Sequence, residues 1–351
     1  DFPQYDEFEY SRKINQILGS QSHEAVVGPK EFLSWIEEMA PKIDDPNGDW
    51  VCFPVYYLAK LFRDNGVIMG QVGEGSDELF CGYGTYMAFI KIWKKFWRWA
   101  IHLPKFLKAI PYFIISKLTP QNFAVLPKEF LSRWINKKPL FFGGANAFSA
   151  YDKQFLLTKS FQKQIPFDAS DKIVEKIYSD LSLRAPASRG EAISLDFLQK
   201  LLYLDLTLRL PELLLMRVDK MVSLHSIEAR VPFLDHRIVE LAFSIPMNLK
   251  IKNKTTKYIL KQAVRGIIPD EIIDRKKKGF GAPVSEWLNT NKEVRDKLID
   301  ILNQSQIKTL NLFDYQYINQ LMSDHVSGRH DNSFKIWNLV TLSLWYDNWI
   351  R

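Results

Sequence analysis

GVIMGQVGEGSDELFCGYGTY, residues 66–86, decides the architecture of this chain, because an apolar run leads directly into a glycine turn that carries three carboxylates. Val67 to Val72 is short, apolar and partly β-branched, so it reads as a buried strand of a parallel sheet. Gly73 and Gly75 break it. Without two Cβ atoms, backbone N–H groups can turn toward a bound anion, as in other glycine-rich turns between a strand and a helix. Glu74 stands between the glycines at the carboxyl end of the strand and has no capping duty. Open α/β sheets bind ligands at that edge, which makes Glu74 a candidate base or charge partner. Ser76 is the expected N-cap. Asp77 and Glu78 then fall in the first helical turn, where the helix dipole favours carboxylates with or without a function.

The composition sets bounds. A chain of 351 residues with 46% apolar and 14% aromatic side chains supports a large core in one or two domains and excludes a disordered polypeptide. A net charge of +7 and a pI near 9.1 permit an anionic ligand, but the excess over 47 basic residues is modest, and no nucleic-acid partner is expected from it. Cys52 and Cys81 lack CxxC spacing and a histidine cluster, so neither a disulfide framework nor a zinc site is indicated and the compartment reads as reducing. With no leader pattern and no bilayer-length apolar run, the expectation is a cytoplasmic, soluble chain.

In chain order, a helix is expected from Asp6 with Phe8, Ile14, Ile17 and Leu18 on one face and Gly19 as its end. A short strand follows at Glu24 to Val27. Pro29 to Ala40 and Pro54 to Asp64 read as helices, the second burying Tyr57, Leu58 and Leu61, with a loop at 44–49 between them. Strand and helix thus alternate up to residue 86, which implies a parallel sheet.

From residue 87 to 118 aromatic side chains interleave with Lys91, Lys94, Lys95, Arg98, Lys105 and Lys108. A membrane-surface helix on anionic lipid is one reading. A helical excursion packed on its own domain, interrupted at Pro104 and Pro111, is preferred, because an amphipathic stripe is first of all a core-facing one. Residues 154–180 read as helical, 181–191 as an exposed connector, and 193–221 as the longest helical tract, broken at Pro211. In SIEARVPFLD, residues 226–235, the charges Glu228, Arg230 and Asp235 read as a structural ion-pair network. A basic helix at 255–265 precedes Arg275, Lys276, Lys277 and Lys278, a cation run ending in Gly-Phe-Gly and Pro283. A solvated charge run and a phosphate-binding loop both fit it. SGRHDNS, residues 327–333, is not a pyrophosphate loop, since Arg329 stands where a second glycine is needed and a helical tract precedes it.

Together GEGSDELFCGY, RVDKMVSLHSIEARVPFLDHR and RKKKGFGAPVSEWL, in that order and spacing, resemble the synthetase domain of glutamine-dependent asparagine synthetases, and the likeness runs from DEFEYSRKI to SGRHDNSFKIW. The resemblance implies an α/β fold of the ATP-pyrophosphatase (adenine nucleotide alpha hydrolase-like) type. Its parallel sheet would be incomplete at the N-terminus and its C-terminal part large and mostly helical. It divides a single synthetase domain, 1–351, into an α/β part at 1–86, a helical excursion at 87–190 and a helical part at 191–351. The implied reaction adenylates a carboxylate with ATP and Mg²⁺, releases pyrophosphate and lets ammonia displace AMP; in the namesake enzymes the carboxylate is that of aspartate.

By the same resemblance Glu74 orients the nucleophile or accepts its proton, and Lys277 stabilises charge on the phosphates. Val72, Gly73 and Gly75 approach the nucleotide, and Asp77 holds Mg²⁺. Arg230 and Asp235 match family positions and are kept structural. Two departures stand out. The SGGxDS loop and the N-terminal glutaminase domain of the family are missing, so the chain is expected to be a fragment that is inactive alone and draws ammonia from a glutaminase domain. Val72 occupies a position where the family commonly has serine. The alternatives are an amidotransferase for another carboxylate, such as a sugar acid, and a non-catalytic relative used as a binding module.

Overall fold

The computed structural model describes residues 2–118, 125–184, 197–277 and 279–350. Of the expectations above, most of the 181–191 connector, the start of the 193–221 tract and Lys278 lie outside the described residues. The first segment forms α1 (Phe8–Leu18), α2 (Pro29–Met39) and α3 (Cys52–Asp64), then β1 (Met69–Gln71), α4 (Ser76–Phe80) and α5 (Gly84–Ile92). The second strand, β2 (Glu228–Arg230), pairs parallel to β1 with Gly70 opposite Ala229. Among the described residues these two strands are the whole sheet, and what lies around them is helical.

α1 ends as expected at Gly19, whose φ of 64° suits a residue without Cβ. Pro29 opens α2 at its first turn, and Phe32, Trp35, Ile36 and Met39 are buried at helical spacing. They meet Phe53 of α3 and two distant residues, Trp287 and Trp337, in the main core. A second cluster gathers Tyr86, Trp97, Phe141 and Leu201.

Several expectations are corrected. β1 is shorter than 67–72 and is not buried: Ile68 and Met69 are 66% and 52% exposed, and among the described residues β2 is its one strand neighbour. At Gly70 the strand lies so close to α3 that a Cβ there would sit 2.5 Å from the Phe62 ring. Residues 24–27 form no strand; Glu24 turns back to an ion pair with Arg12, and Val26 is exposed. α3 is rotated from its expected face, so that Phe53, Tyr56 and Ala59 are buried while Leu58 is exposed.

Pro211 does not break its helix. The helix Phe197–Leu204 runs on through a π-helical stretch, Asp205–Leu215, into the helix Met216–Ser223. The wider i→i+5 turn relieves the clash that proline makes with the carbonyl one α-turn earlier. Residues 154–180 are divided among three helices rather than one: Ala150–Leu156, Lys159–Gln162 and the longer Ala169–Arg184. Both cysteines are buried and free.

Candidate functional site

The helix α4 begins at Gly75, which holds a φ of 88° and serves as N-cap without any side-chain bond; Ser76, the expected cap, is its first residue. Asp77 therefore points out of the first turn, and two lysines converge on it. Lys277 Nζ lies 2.5 Å and Lys257 Nζ 2.9 Å from Asp77 Oδ1, and Lys257 Nζ also donates to Ser76 Oγ at 2.8 Å. Lys257 reaches in from a left-handed turn residue, φ 52°, whose N–H donates to the Phe80 carbonyl at the end of α4. Lys277 comes from the loop that the cation run predicts. Its neighbour Arg275 is engaged elsewhere, bonding Glu7 and stacking on Tyr10.

The electrostatics follow from burial and neighbours. Burial pushes the Asp77 carboxyl up, but Lys257 and Lys277 outweigh it and hold the group below the usual carboxylate range. Burial lowers Lys277, and its bond to Asp77 offsets this only in part. Glu78, on the inward side of the same turn, is raised by burial and accepts a bond from Tyr83 Oη at 2.6 Å. The Tyr83 ring carries Lys277 Nζ at 4.4 Å and the Arg209 guanidinium at 4.2 Å.

Glu74 has a different partner. Buried Arg217, on the helix Met216–Ser223, bonds Glu74 Oε1 through Nη2 and Asp49 Oδ2 through Nη1, the latter at 2.6 Å. Burial pulls this guanidinium down, and the two carboxylates more than reverse it. The arrangement fixes a carboxylate at the end of β1 on the same turn as Asp77. Gly73 is exposed, with nothing within 4 Å of where a Cβ would be, whereas a Cβ on Gly75 would strike Leu234 Cδ2 at 2.4 Å. Val72 uses its N–H in the sheet, donating to the Arg230 carbonyl at 2.9 Å. Glu228 and Arg230 pair with each other at the exposed surface, and Asp235 caps the helix His236–Ser244. They form separate contacts rather than one network.

Among the described residues no three His, Cys, Asp or Glu side chains are grouped as a metal site. Asp77 offers one hard oxygen, which suits Mg²⁺ only in company with phosphate oxygens. A cavity of about 530 Å³, lined by none of the residues above, lies between Gly143–Gly144 and the 317–335 segment, where Asp152 is held by Ser149 and Lys335. His330, Asp331 and Asn332 of the SGRHDNS segment line it. Gly144 donates to Asp205, one helical turn from Arg209, so cavity and lysine cluster flank the same helix.

The family model described as asparagine synthase matches residues 1–347. The chain belongs to the asparagine synthase family. It is 30% identical over 348 residues to the glutamine-hydrolysing asparagine synthetase 1 of Bacillus subtilis (strain 168), covering 97% of this chain and 50% of that protein. A putative glutamine-hydrolysing asparagine synthetase of Mycobacterium bovis (strain ATCC BAA-935 / AF2122/97) is 26% identical, over 97% of this chain and 48% of its own length. Asparagine synthetase 3 of Bacillus subtilis (strain 168) is 24% identical over 88% and 43%. The chain thus spans about half the length of the curated relatives it matches.

Within this asparagine synthase domain, sequence reasoning names Glu74, Asp77 and Lys277 but overlooks Lys257, Arg217, Asp49 and Gly82. Arg217 stands inside the RVDKM segment and Lys257 at the start of a predicted basic helix, with nothing local to separate either from a surface cation. Gly82 has a steric signature only in three dimensions: its Cβ would overlap Asp77 Oδ1 and Lys257 Cε, at 1.6 and 2.3 Å.

Proposed function

We propose that this chain carries out the ATP-dependent amidation of a carboxylate, with aspartate as acceptor and asparagine as product, through an acyl-adenylate. The convergence of Lys257 and Lys277 on Asp77, one turn from an Arg217-held Glu74, supports this reading. In the first step an acceptor carboxylate oxygen attacks the α-phosphorus of ATP, and the bond to the β-phosphate oxygen breaks. Lys257 and Lys277 are placed to meet the negative charge on the departing pyrophosphate. Exposed Gly73 leaves its backbone open to the nucleotide. Asp77 would hold Mg²⁺, which supplies further neutralisation of phosphate charge. In the second step ammonia attacks the acyl carbon, the bond to the AMP oxygen breaks, and the attacking nitrogen loses a proton that Glu74 can accept. Arg217 orients Glu74 by holding one of its oxygens.

The same reading assigns the ATP-pyrophosphatase fold and one synthetase domain over 1–351. It takes the ammonia from glutamine, whose hydrolysis the names of the relatives state of those proteins, and assigns that hydrolysis to a glutaminase domain.

The test uses the full-length protein, with pyrophosphate exchange and amide formation measured separately. Glu74→Gln is expected to lose amide formation while keeping its fold by circular dichroism, and Lys277→Ala to lose about 3 kcal/mol of transition-state stabilisation in adenylation. Unimpaired amide formation by Glu74→Gln removes that residue from the reaction. If aspartate elicits no pyrophosphate while ATP binds, the acceptor is another carboxylate.

A further inference from the structure

The positive charge of this chain is concentrated in one stretch. No Asp or Glu occurs between Glu78 and Glu129, while Lys91, Lys94, Lys95, Arg98, Lys105, Lys108, Lys117 and Lys128 fall inside it. Taking these eight from the 47 basic residues leaves 39 against 40 acidic ones, so the rest of the chain is close to neutral.

The fold turns this stretch outward. α5, the π-helical turn Trp93–Trp97 and the short helix Arg98–Ala100 follow one another and bury Tyr86, Trp97 and Ala100. Ile92, Phe96 and Trp99, at i, i+4 and i+7, stay exposed on another face, Phe96 at 47% and Trp99 at 66%. The next helix, Lys105–Leu118, packs on the helix Val125–Ile135 and is inverted relative to an ordinary amphipathic helix. Lys108 is buried, its Nζ donating to the Ile101 and Trp134 carbonyls at 2.7 and 3.1 Å, while Phe106 and Ile110, one turn apart, are 69% and 54% exposed and Ile114 continues the stripe. A helix that buries Lys108 and presents phenylalanine and isoleucine to water is not arranged for solvent alone.

We propose that this face is a docking surface for an anionic phospholipid bilayer, on which the chain lies without crossing it. Exposed tryptophan and phenylalanine match the depth of the headgroup and acyl boundary, and the lysines alongside match its negative potential. No helix among the described residues is long and apolar enough to span. Charge selects this occupant over the others. A second copy would set one acid-free basic face against another, and lysine is depleted from the cores of protein interfaces.

The test is co-sedimentation of the full-length protein with vesicles of phosphatidylcholine alone or mixed with phosphatidylglycerol. Binding is expected with the anionic vesicles only, and it should fade at high salt as the charges are screened. The pair Lys94→Glu/Lys95→Glu and the pair Phe106→Ser/Ile110→Ser should each weaken it by about tenfold or more. All four side chains are exposed, and circular dichroism checks each fold; should the apolar pair misfold, the charge reversal decides alone. Equal binding to neutral vesicles, no binding at all, or binding untouched by the charge reversal overturns the proposal. So does self-association by sedimentation velocity that the same variants abolish.

Discussion

Lys277 and Asp77 are both held below their ordinary values, for opposite reasons. Two cations outweigh burial at the carboxylate, whereas at the lysine burial, helped by the neighbouring charge of Lys257, outweighs Asp77 and Glu78. An ammonium is the charged form below its pKa, and only the charged form meets phosphate. Adenylation is therefore expected to fall as pH rises, through a limb displaced to lower pH than an ordinary lysine gives, in kcat/KM for ATP, which reports the free enzyme. Lys277→Arg, whose guanidinium does not titrate in this range, should work more slowly but lose that limb. A limb that persists in Lys277→Arg assigns it to another group.

At the scale of the element, the two glycines of the turn separate into different duties. Gly75 holds the left-handed conformation that starts α4 and lies against Leu234, so Gly75→Ala pays for both a strained backbone and a displaced side chain. The backbone alone costs about 1–2 kcal/mol, and urea unfolding should show at least that. Gly73 has space for a methyl group, so Gly73→Ala should change stability by no more than about 0.5 kcal/mol. If Gly73→Ala is as stable as the parent and binds ATP more weakly, the backbone there approaches the nucleotide. Unchanged ATP affinity removes Gly73 from the nucleotide site.

At the scale of the molecule, the main core joins the two ends of the chain. Phe32 and Trp35 of α2 pack on Trp337 of the C-terminal helix Ser333–Trp349, with ring centroids 5.5 and 6.0 Å apart, and Trp287 lies 5.4 Å from Phe32. Trp337→Ala is expected to cost about 3–5 kcal/mol. The loss should appear as one earlier transition, coincident by tryptophan fluorescence and far-ultraviolet dichroism, because the N-terminal helices share that core. Separate transitions by the two probes would mean that the C-terminal helix unfolds independently.

Features that depend on near neighbours were legible in the residues themselves. Gly19 ending α1, Phe32, Ile36 and Met39 lining α2, the glycine turn after β1 and the family motifs all follow from local periodicity, backbone preference and residue order. The partners of Asp77 and Glu74 do not: Lys277 lies 200 positions from Asp77 and Arg217 143 from Glu74, and no local pattern encodes which distant cation arrives. The same limit governs faces. The residues of α3 and of the helix Lys105–Leu118 declare that an apolar stripe exists, but only docking decides that Tyr56 goes in and Leu58 out, or that Lys108 is buried while Phe106 meets solvent. Side-chain period is a property of one helix; burial belongs to the pair of surfaces that meet, and that pairing is made by the tertiary structure alone.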